Sequence, residues 1–197
     1  MIERCGLRVI LLEAILLVFL LVIVPTLTFF VLLLLAFTIF FFRDPPREIQ
    51  DGIVSPADGK IDFIEEQRIE IFMSPFDCHI NRAPVDGKVE KIVYKRGKFI
   101  PAYRRDDSTE RNEIYIRNSD GVFKVTQIAG FFARRINCYV KEGDWIQKGE
   151  KIGMIKFGSR VCVDLPDKYK IMRKIGEKVR AGDTIALKEG DGTNEQK

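Results

Sequence analysis

The feature that most constrains the fold is an apolar stretch, Leu7–Phe42, in which Arg8 and Glu13 are the only charged residues. As one helix it would be about 54 Å long, well beyond the roughly 30 Å hydrocarbon core of a bilayer. Pro25 divides it, so two short spans or a re-entrant hairpin fit better than one helix. It is too long for a removed signal peptide and has no small-residue cleavage site. We predict a membrane anchor of one or two short hydrophobic helices over residues 1–43.

Basic residues on both flanks of this stretch predict its orientation. Arg4 precedes it and Arg43 and Arg47 follow it, which suits a hairpin with both ends in the cytoplasm. We therefore expect a protein of the cell membrane whose remaining domain faces the cytoplasm. The net charge of +4 is scattered along the chain, and beside a membrane it favours anionic lipid. No basic run interleaved with aromatic residues stands out, so we expect no nucleic-acid partner.

The hydrophobic pattern changes period after Pro45 and Pro46, which cannot continue a helix. Short segments rich in Ile, Val, Phe and Tyr then alternate with Gly, Pro and Asp turns, as in β structure. These segments are Ile61–Ile64, Glu70–Met73, Val89–Tyr94, Glu113–Arg117, Phe123–Ile128 and Ile152–Lys156. We predict a mostly β domain over residues 44–188 and a polar, disordered tail over 189–197.

A weak internal repeat refines this fold prediction. The pattern V-x-x-G-D-x-I begins once at Val140 and again at Val179. Such turns resemble those of the barrel-sandwich fold of lipoyl and biotinyl carriers, in which glycine permits tight corners. The repeat indicates a fold and carries no function by itself.

Three separated segments carry side chains that could take part in catalysis: Ser55-Pro-Ala-Asp58-Gly59, Phe76 to Pro84 around His79, and Lys156 to Asp164 around Ser159. Singly, they are typical of a turn, a core histidine and a bulge. Together, a serine, the chain's single histidine and an aspartate are the parts of a nucleophile, base and orienter set. Gly158, directly before Ser159, leaves the peptide bond accessible and able to hold strain. One histidine and no Cys-x-x-Cys pair argue against a metal site.

The ordered motifs resemble the phosphatidylserine decarboxylase family in its short form, which includes the archaeal archaetidylserine decarboxylases. The resemblance covers the chain from about Phe42 to Pro166. Its residues are Phe42-Arg-Asp-Pro, Ser55-Pro-Ala-Asp-Gly, Asp77-Cys-His-Ile-Asn-Arg-Ala-Pro, Asn112-Glu113, Gln127 to Ile136, and Lys156-Phe-Gly-Ser-Arg-Val. It implies a carboxy-lyase of phospholipid biosynthesis that is made as a zymogen.

The resemblance implies that the chain cuts itself between Gly158 and Ser159. Ser159 Oγ attacks the Gly158 carbonyl, and elimination and hydrolysis leave a pyruvoyl group, a covalent form of pyruvate, with release of ammonia. The products, residues 1–158 and 159–197, stay together as a heterodimer, and further oligomerisation is left open. The pyruvoyl group then forms a Schiff base with the serine headgroup of a phospholipid, carbon dioxide departs, and the ethanolamine lipid is released.

For the remaining roles, the resemblance and the residues together predict that His79 is oriented by Asp58. His79 would act as the base that activates Ser159 and as the acid that reprotonates the substrate. The longer family forms carry a second histidine where this chain has Arg82, and Gly-Ser-Thr where this chain has Gly-Ser-Arg. Arg82 is a candidate ligand of the lipid phosphate or the departing carboxylate, with an ordinary surface arginine as the alternative. Asn112 and Gln127 are candidate substrate-binding residues. Three points stay open: whether the lipid is phosphatidylserine or archaetidylserine, whether the anchor spans twice or is re-entrant, and whether His79 serves both reactions.

The alternative function is a membrane-tethered barrel-sandwich module that binds or carries a group without catalysis. A lipoyl or biotinyl carrier presents a modifiable lysine at a hairpin tip, and Lys156 precedes Phe157 and Gly158 instead. Cleavage between Gly158 and Ser159 separates the enzyme from this module.

Overall fold

The computed structural model describes the chain in five segments and as two compact units. The segments are residues 4–23, 25–97, 108–130, 136–156 and 159–190. The units are Met1–Pro46 and Arg47–Lys197. Most of the predicted tail, residues 191–197, and Gly158 of the predicted cleavage site lie outside the described residues.

The first unit is a pair of helices, α1 (Arg4–Ile23) and α2 (Pro25–Phe41). The break predicted at Pro25 is confirmed, since α2 begins there, where the fixed φ of proline suits the first turn of a helix. The two helices contact each other. Thr38 Oγ1 of α2 donates a hydrogen bond of 2.8 Å to Glu13 Oε1 of α1, so the acidic residue of the apolar stretch has a polar partner within the hairpin.

Across the described segments, neither helix reaches the length and apolarity that crossing a membrane requires. The anchor predicted over residues 1–43 is therefore not supported as a spanning element. After the break at Pro25, α2 has 17 residues and a length of about 26 Å, while α1 carries Arg4, Arg8 and Glu13 within its 20 residues.

The second unit is mostly β, as predicted, with fourteen strands in its described part. The strands are β1 Ile53–Val54, β2 Gly59–Glu65, β3 Arg68–Met73, β4 Ile80–Arg82, β5 Gly87–Lys95, β6 Arg111–Asn118, β7 Gly121–Ala129, β8 Ile136–Cys138, β9 Trp145–Ile146, β10 Lys151–Ile155, β11 Ser159–Asp164, β12 Tyr169–Ile171, β13 Lys178–Val179 and β14 Thr184–Lys188. An eight-stranded sheet has the order β13-β2-β3-β11-β7-β6-β5-β9. Two three-stranded sheets have the orders β4-β10-β8 and β1-β14-β12.

Strand β11 lies in the middle of the large sheet, antiparallel to β3 on one side and β7 on the other. Successive side chains of a strand point to opposite faces. Val161 and Val163 are fully buried in the apolar core, and Ser159 shares their face. Arg160 points to the other face, as do Cys162 and Asp164. The register places Ser159 opposite Met73 of β3 and Ala129 of β7.

Both copies of the repeated V-x-x-G-D pattern form the same turn. Gly143 and Gly182 have φ of 95° and 104°, in the region that favours glycine. Asp144 Oδ2 accepts a 2.8 Å hydrogen bond from the Lys141 amide, and Asp183 Oδ2 accepts a 2.7 Å bond from the Arg180 amide. The sequence repeat is thus a structural repeat of turns.

Candidate active site

Ser159, the predicted nucleophile, is the first residue of β11 and is fully buried. Its Oγ donates a hydrogen bond to Met73 Sδ at 3.3 Å. A thioether is a weak acceptor and no base, so this contact orients the hydroxyl without deprotonating it.

His79, the predicted base, is fully buried immediately before β4. Its Nδ1 lies 2.9 Å from the backbone oxygen of Asp77. A carbonyl oxygen only accepts hydrogen bonds, so Nδ1 carries a proton and Nε2 is the basic nitrogen of the neutral ring. The Asp77 carboxylate closes the preceding turn, accepting hydrogen bonds from the Ser74 amide at 2.7 Å and the Ser74 hydroxyl at 2.6 Å.

Asp58, predicted to orient His79, has both carboxylate oxygens bound by other groups. Arg47 Nη2 donates to Oδ2 at 2.5 Å, and the Ala181 amide donates to Oδ1 at 2.9 Å. A guanidinium is the stronger partner for a buried carboxylate, because the hydrogen bond is charge-assisted. The hydrogen bond described for the His79 ring comes from the carbonyl of Asp77, and the role of Asp58 in orienting His79 stays a prediction.

Asn112 and Gln127, the candidate substrate-binding residues, are brought together in a buried chain of amides. Asn112 Nδ2 donates to Gln127 Oε1 at 3.0 Å, and Gln127 Nε2 donates to Asn81 Oδ1 at 2.8 Å. Asn81 Nδ2 in turn lies 3.8 Å from Met73 Sδ. The amide groups are at most 1% exposed. We call Asn112, Gln127 and Asn81 the amide chain, which runs from β6 to the Met73 sulfur that contacts Ser159.

Asn81 is a site residue that sequence reasoning missed, although one signal was available. It lies two residues after His79, and alternate residues of an extended segment share a face. Gly153 of β10 makes room for the chain: a Cβ there would lie 2.6 Å from Gln127 Nε2 and 2.5 Å from the Asn137 carbonyl oxygen.

Arg82, the candidate anion ligand, is half-buried at the end of β4. Its Nη1 donates a hydrogen bond of 2.9 Å to the backbone oxygen of Gly149. This bond ties β4 to the turn before β10. A role for Arg82 toward substrate stays a prediction.

The described residues hold no cluster of three His, Cys, Asp or Glu side chains that could bind a metal ion. A surface cavity of about 410 Å³ lies among residues of other segments, including Asp120, Lys148 and Lys188. It contains none of the predicted site residues.

The sequence profile of the family described as phosphatidylserine decarboxylase matches residues 34–187 of this chain. The match covers well over half of the sequence and includes Ser159, His79 and the whole amide chain. This chain belongs to the phosphatidylserine decarboxylase family. The predicted family is confirmed, and with it the predicted activity as a carboxy-lyase of phospholipid synthesis.

Individual members of the family are similar over most of their length. A protein of Archaeoglobus fulgidus, whose name contains the words "archaetidylserine decarboxylase proenzyme", is 50% identical over 189 residues, which cover 96% of this chain and 97% of that protein. One of Methanosarcina mazei with the same words in its name is 45% identical, covering 75% and 73%. A "Phosphatidylserine decarboxylase proenzyme" of Syntrophus aciditrophicus is 46% identical, covering 75% and 78%.

In this family member the residue after the serine is Arg160, and its side chain is 3% exposed. It pairs with Glu70 of β3 and, at 2.6 Å, with Asp62 Oδ2 of β2. Burial raises the pKa of the Glu70 carboxyl, but hydrogen bonds from Arg68 and Arg160 outweigh burial and hold that pKa below its ordinary value. On the same face, burial raises the pKa of the Cys162 thiol to about 12. Glu70 is therefore ionised and Cys162 is a neutral thiol near pH 7.

Proposed function

We propose that this decarboxylase cuts itself between Gly158 and Ser159 and uses the pyruvoyl group formed from Ser159 to decarboxylate a serine phospholipid. The substrate is phosphatidylserine or archaetidylserine, and the products are the matching ethanolamine lipid and carbon dioxide. The observation that carries the proposal is the Ser159 hydroxyl, buried at the start of a central strand and held by a contact that leaves it neutral.

The described contacts support His79 as the base for this reaction. With its Nδ1 proton directed to the Asp77 carbonyl, the neutral ring is in the tautomer whose Nε2 can accept a proton. The same carbonyl stabilises the ring when it becomes positively charged, since both nitrogens then donate. His79 thus takes the proton of Ser159 Oγ during cleavage and returns a proton to the substrate carbon after carbon dioxide has left.

The surroundings of Ser159 fit a pyruvoyl group, because its side chain faces the apolar core and the Met73 thioether. When formed, this group supplies an electron sink for the pair left by the departing carbon dioxide. The protein's own part is to exclude water from the reacting atoms and to hold the proton on His79.

The strand pairing supports a stable complex of the two cleavage products. After a cut before Ser159, the smaller product contains β11, β13 and β14. β11 pairs with β3 and β7, β13 with β2, and β14 with β1, all in the larger product. Separating the products would break these ladders and expose apolar core, so they form a heterodimer.

Exposed apolar side chains support membrane attachment through the helical hairpin. The fractions exposed are 62% for Leu11, 68% for Leu12, 61% for Phe29 and 66% for Phe30. Such apolar area is stabilised by burial in hydrocarbon. We propose a hairpin that enters the bilayer and returns, with the basic flanks and the catalytic domain on the cytoplasmic side of the cell membrane.

We also propose that the β domain contains a barrel-sandwich core. The support is the repeated turn, in which Asp144 and Asp183 bind the amides of Lys141 and Arg180 in the same way. Paired glycine turns of this kind allow two short strands to change direction sharply.

The test is the intact mass of the purified protein under denaturing conditions. We expect two chains that match 1–158 and 159–197, the smaller blocked at its N-terminus by the pyruvoyl group. Ser159→Ala should remain one chain, whereas Ser119→Ala, at an exposed turn, should be cut like the parent. A parent that stays uncut in membranes would reject the proposal and favour the binding module.

Which of the two lipids is the substrate is tested with the cut enzyme in a single detergent. Phosphatidylserine and archaetidylserine are supplied at equal surface concentration, and carbon dioxide release is measured for each. A clear preference identifies the tail type. Release from neither lipid by a fully cut enzyme would reject the substrate class but not the self-cleavage.

A further inference from the structure

The side chain of Met73 contacts Ser159 Oγ. It is fully buried on β3, directly opposite Ser159 in the ladder. Its sulfur lies 3.3 Å from Ser159 Oγ and 3.8 Å from Asn81 Nδ2. The thioether is therefore the common neighbour of the nucleophile and of the amide chain.

The amide chain fixes which group of Asn81 faces this sulfur. Gln127 Nε2 donates to Asn81 Oδ1, so the Asn81 amide is oriented with its Nδ2 donor toward Met73. Gln127 is itself oriented by the Asn112 donor. Asn81 is thus a positioning residue that holds the Met73 sulfur against residue 159.

The proposed self-cleavage changes what this sulfur must contact. Ser159 Oγ bonds to the Gly158 carbonyl carbon while the peptide C–N bond breaks and the freed nitrogen takes a proton. Loss of the Cα proton then expels Oγ with its electron pair into the Gly158 carboxylate and leaves a Cα=Cβ double bond. A proton adds to Cβ, water adds to Cα, and ammonia leaves. The hydroxyl next to Met73 is replaced by a methyl group.

We propose that Met73 is the residue that accommodates both forms of position 159, the serine of the proenzyme and the methyl-bearing group of the mature enzyme. A carboxylate or amide at this place would bind the hydroxyl, but beside the methyl it would lose that bond and keep only the Asn81 donor for its buried polar atoms. Leucine would pack on the methyl but leave the hydroxyl without an acceptor. A thioether suits both the hydroxyl and the methyl, because it accepts a weak hydrogen bond and packs as an apolar group. This inference rests on the proposed function.

Two replacements of similar size separate the two properties. We expect Met73→Leu, which lacks the acceptor, to slow self-cleavage about fivefold, as loss of one modest hydrogen bond implies. Its cut fraction should decarboxylate within about twofold of the parent, per mature site. Met73→Gln, which keeps an acceptor, should cut within about twofold of the parent but decarboxylate at least about tenfold more slowly, because a buried amide then faces a methyl. Met154→Leu, the same exchange at another fully buried methionine, controls for packing and should alter neither rate by more than about twofold.

The experiment follows self-cleavage by intact mass over time, decarboxylation of the cut fraction, and thermal unfolding in the Ser159→Ala background. Alanine there presents a methyl, so Met73→Gln should lower the Tm of this uncut chain below that of Met73→Leu. If Met73→Gln does not fold, the two rates of Met73→Leu decide the question. A slower self-cleavage with an unchanged rate of decarboxylation supports the inference. If both rates change alike, or if neither changes, the inference is overturned. An uncut parent overturns the proposed function together with this inference, whereas a cut parent with the wrong pattern among the variants overturns the inference alone.

Discussion

Arg160 and Glu70 form an ion pair between neighbouring strands with only 3% and 7% of the side chains exposed. Asp62 binds the same guanidinium at 2.6 Å, and Arg68 binds the other oxygen of Glu70 at 2.9 Å. Ser159 follows the predicted cut directly, and the backbone nitrogen of Arg160 carries residue 159. The ion pair therefore fixes the strand end on which the proposed reactive group would lie.

Arg160→Met should destabilise the fold strongly. Removing one partner of a buried pair leaves the other charge uncompensated, at a cost of about 3 kcal/mol in the free energy of unfolding. The measurement is urea unfolding in the uncut Ser159→Ala background. Arg117→Met is the control, because Arg117 pairs with Glu90 while the two are 55% and 45% exposed; it should cost less than about 1 kcal/mol. Equal losses of unfolding free energy in the two variants would contradict the argument that burial makes the Arg160 ion pair more important for stability than the exposed Arg117 pair.

The lowered pKa of Glu70 predicts acid sensitivity. Its folded pKa lies below the ordinary 4.5, so its stabilisation is complete above about pH 4.5 and is lost as pH falls through the lowered value. Glu70→Gln removes this titration. Its free energy of unfolding should therefore fall less steeply than the parent's between pH 5 and pH 2.5, measured by urea unfolding in the Ser159→Ala background. Parallel curves would show that Glu70 is not a source of the acid sensitivity.

Much of the fold could be predicted from patterns that are local in sequence. Short runs rich in Ile, Val, Phe and Tyr between turns indicated β structure in segments such as Phe123–Ile128, and Pro25 indicated where the apolar stretch breaks. Both signals act within a few residues, where sterics and face alternation decide the conformation. Whether an apolar stretch crosses a membrane depends on the length of each helix after the break, which the stretch alone does not give.

The candidate site was predictable in its residue types but not in its contacts. Ser159 and His79 stand out by their motifs. The group that orients His79 is the backbone carbonyl of Asp77, and every residue has a carbonyl, so no sequence signal marks it. The contact between Met73 and Ser159 depends on the pairing of β3 with β11, and these two residues are 86 positions apart in the sequence. The pairing of Asp58 with Arg47 is likewise visible only in three dimensions.

Gln127→Met should lower stability without changing the KM for lipid. Both ends of the Gln127 amide bind protein groups, Asn112 and Asn81, so the side chain positions the site. The change leaves two buried polar groups without partners, at about 1–3 kcal/mol each. Urea unfolding and the KM of the cut enzyme are the measurements. Gln147→Met, at an exposed position, should change stability by less than about 0.5 kcal/mol. A raised KM with unchanged stability would instead support the substrate-binding role predicted from sequence.

Gly153→Ala tests whether the amide chain needs the space that this glycine leaves. A Cβ would lie 2.5 Å from the Asn137 carbonyl oxygen and 2.6 Å from Gln127 Nε2. Either β10 or the Gln127 amide must shift, and overpacking of this kind costs about 1–3 kcal/mol. Because Asn81 is held by Gln127, self-cleavage should slow as well, which intact mass over time would detect.

Gly143→Ala is the matched control for this last variant. A Cβ there meets nothing within 4 Å, although the φ of 95° opposes any side chain. It should therefore cost about 1 kcal/mol of strain and leave the rate of self-cleavage unchanged. Slower cleavage in both variants would mean that general loss of stability controls the reaction. Slower cleavage in Gly153→Ala alone would tie the rate to the position of the Gln127 amide.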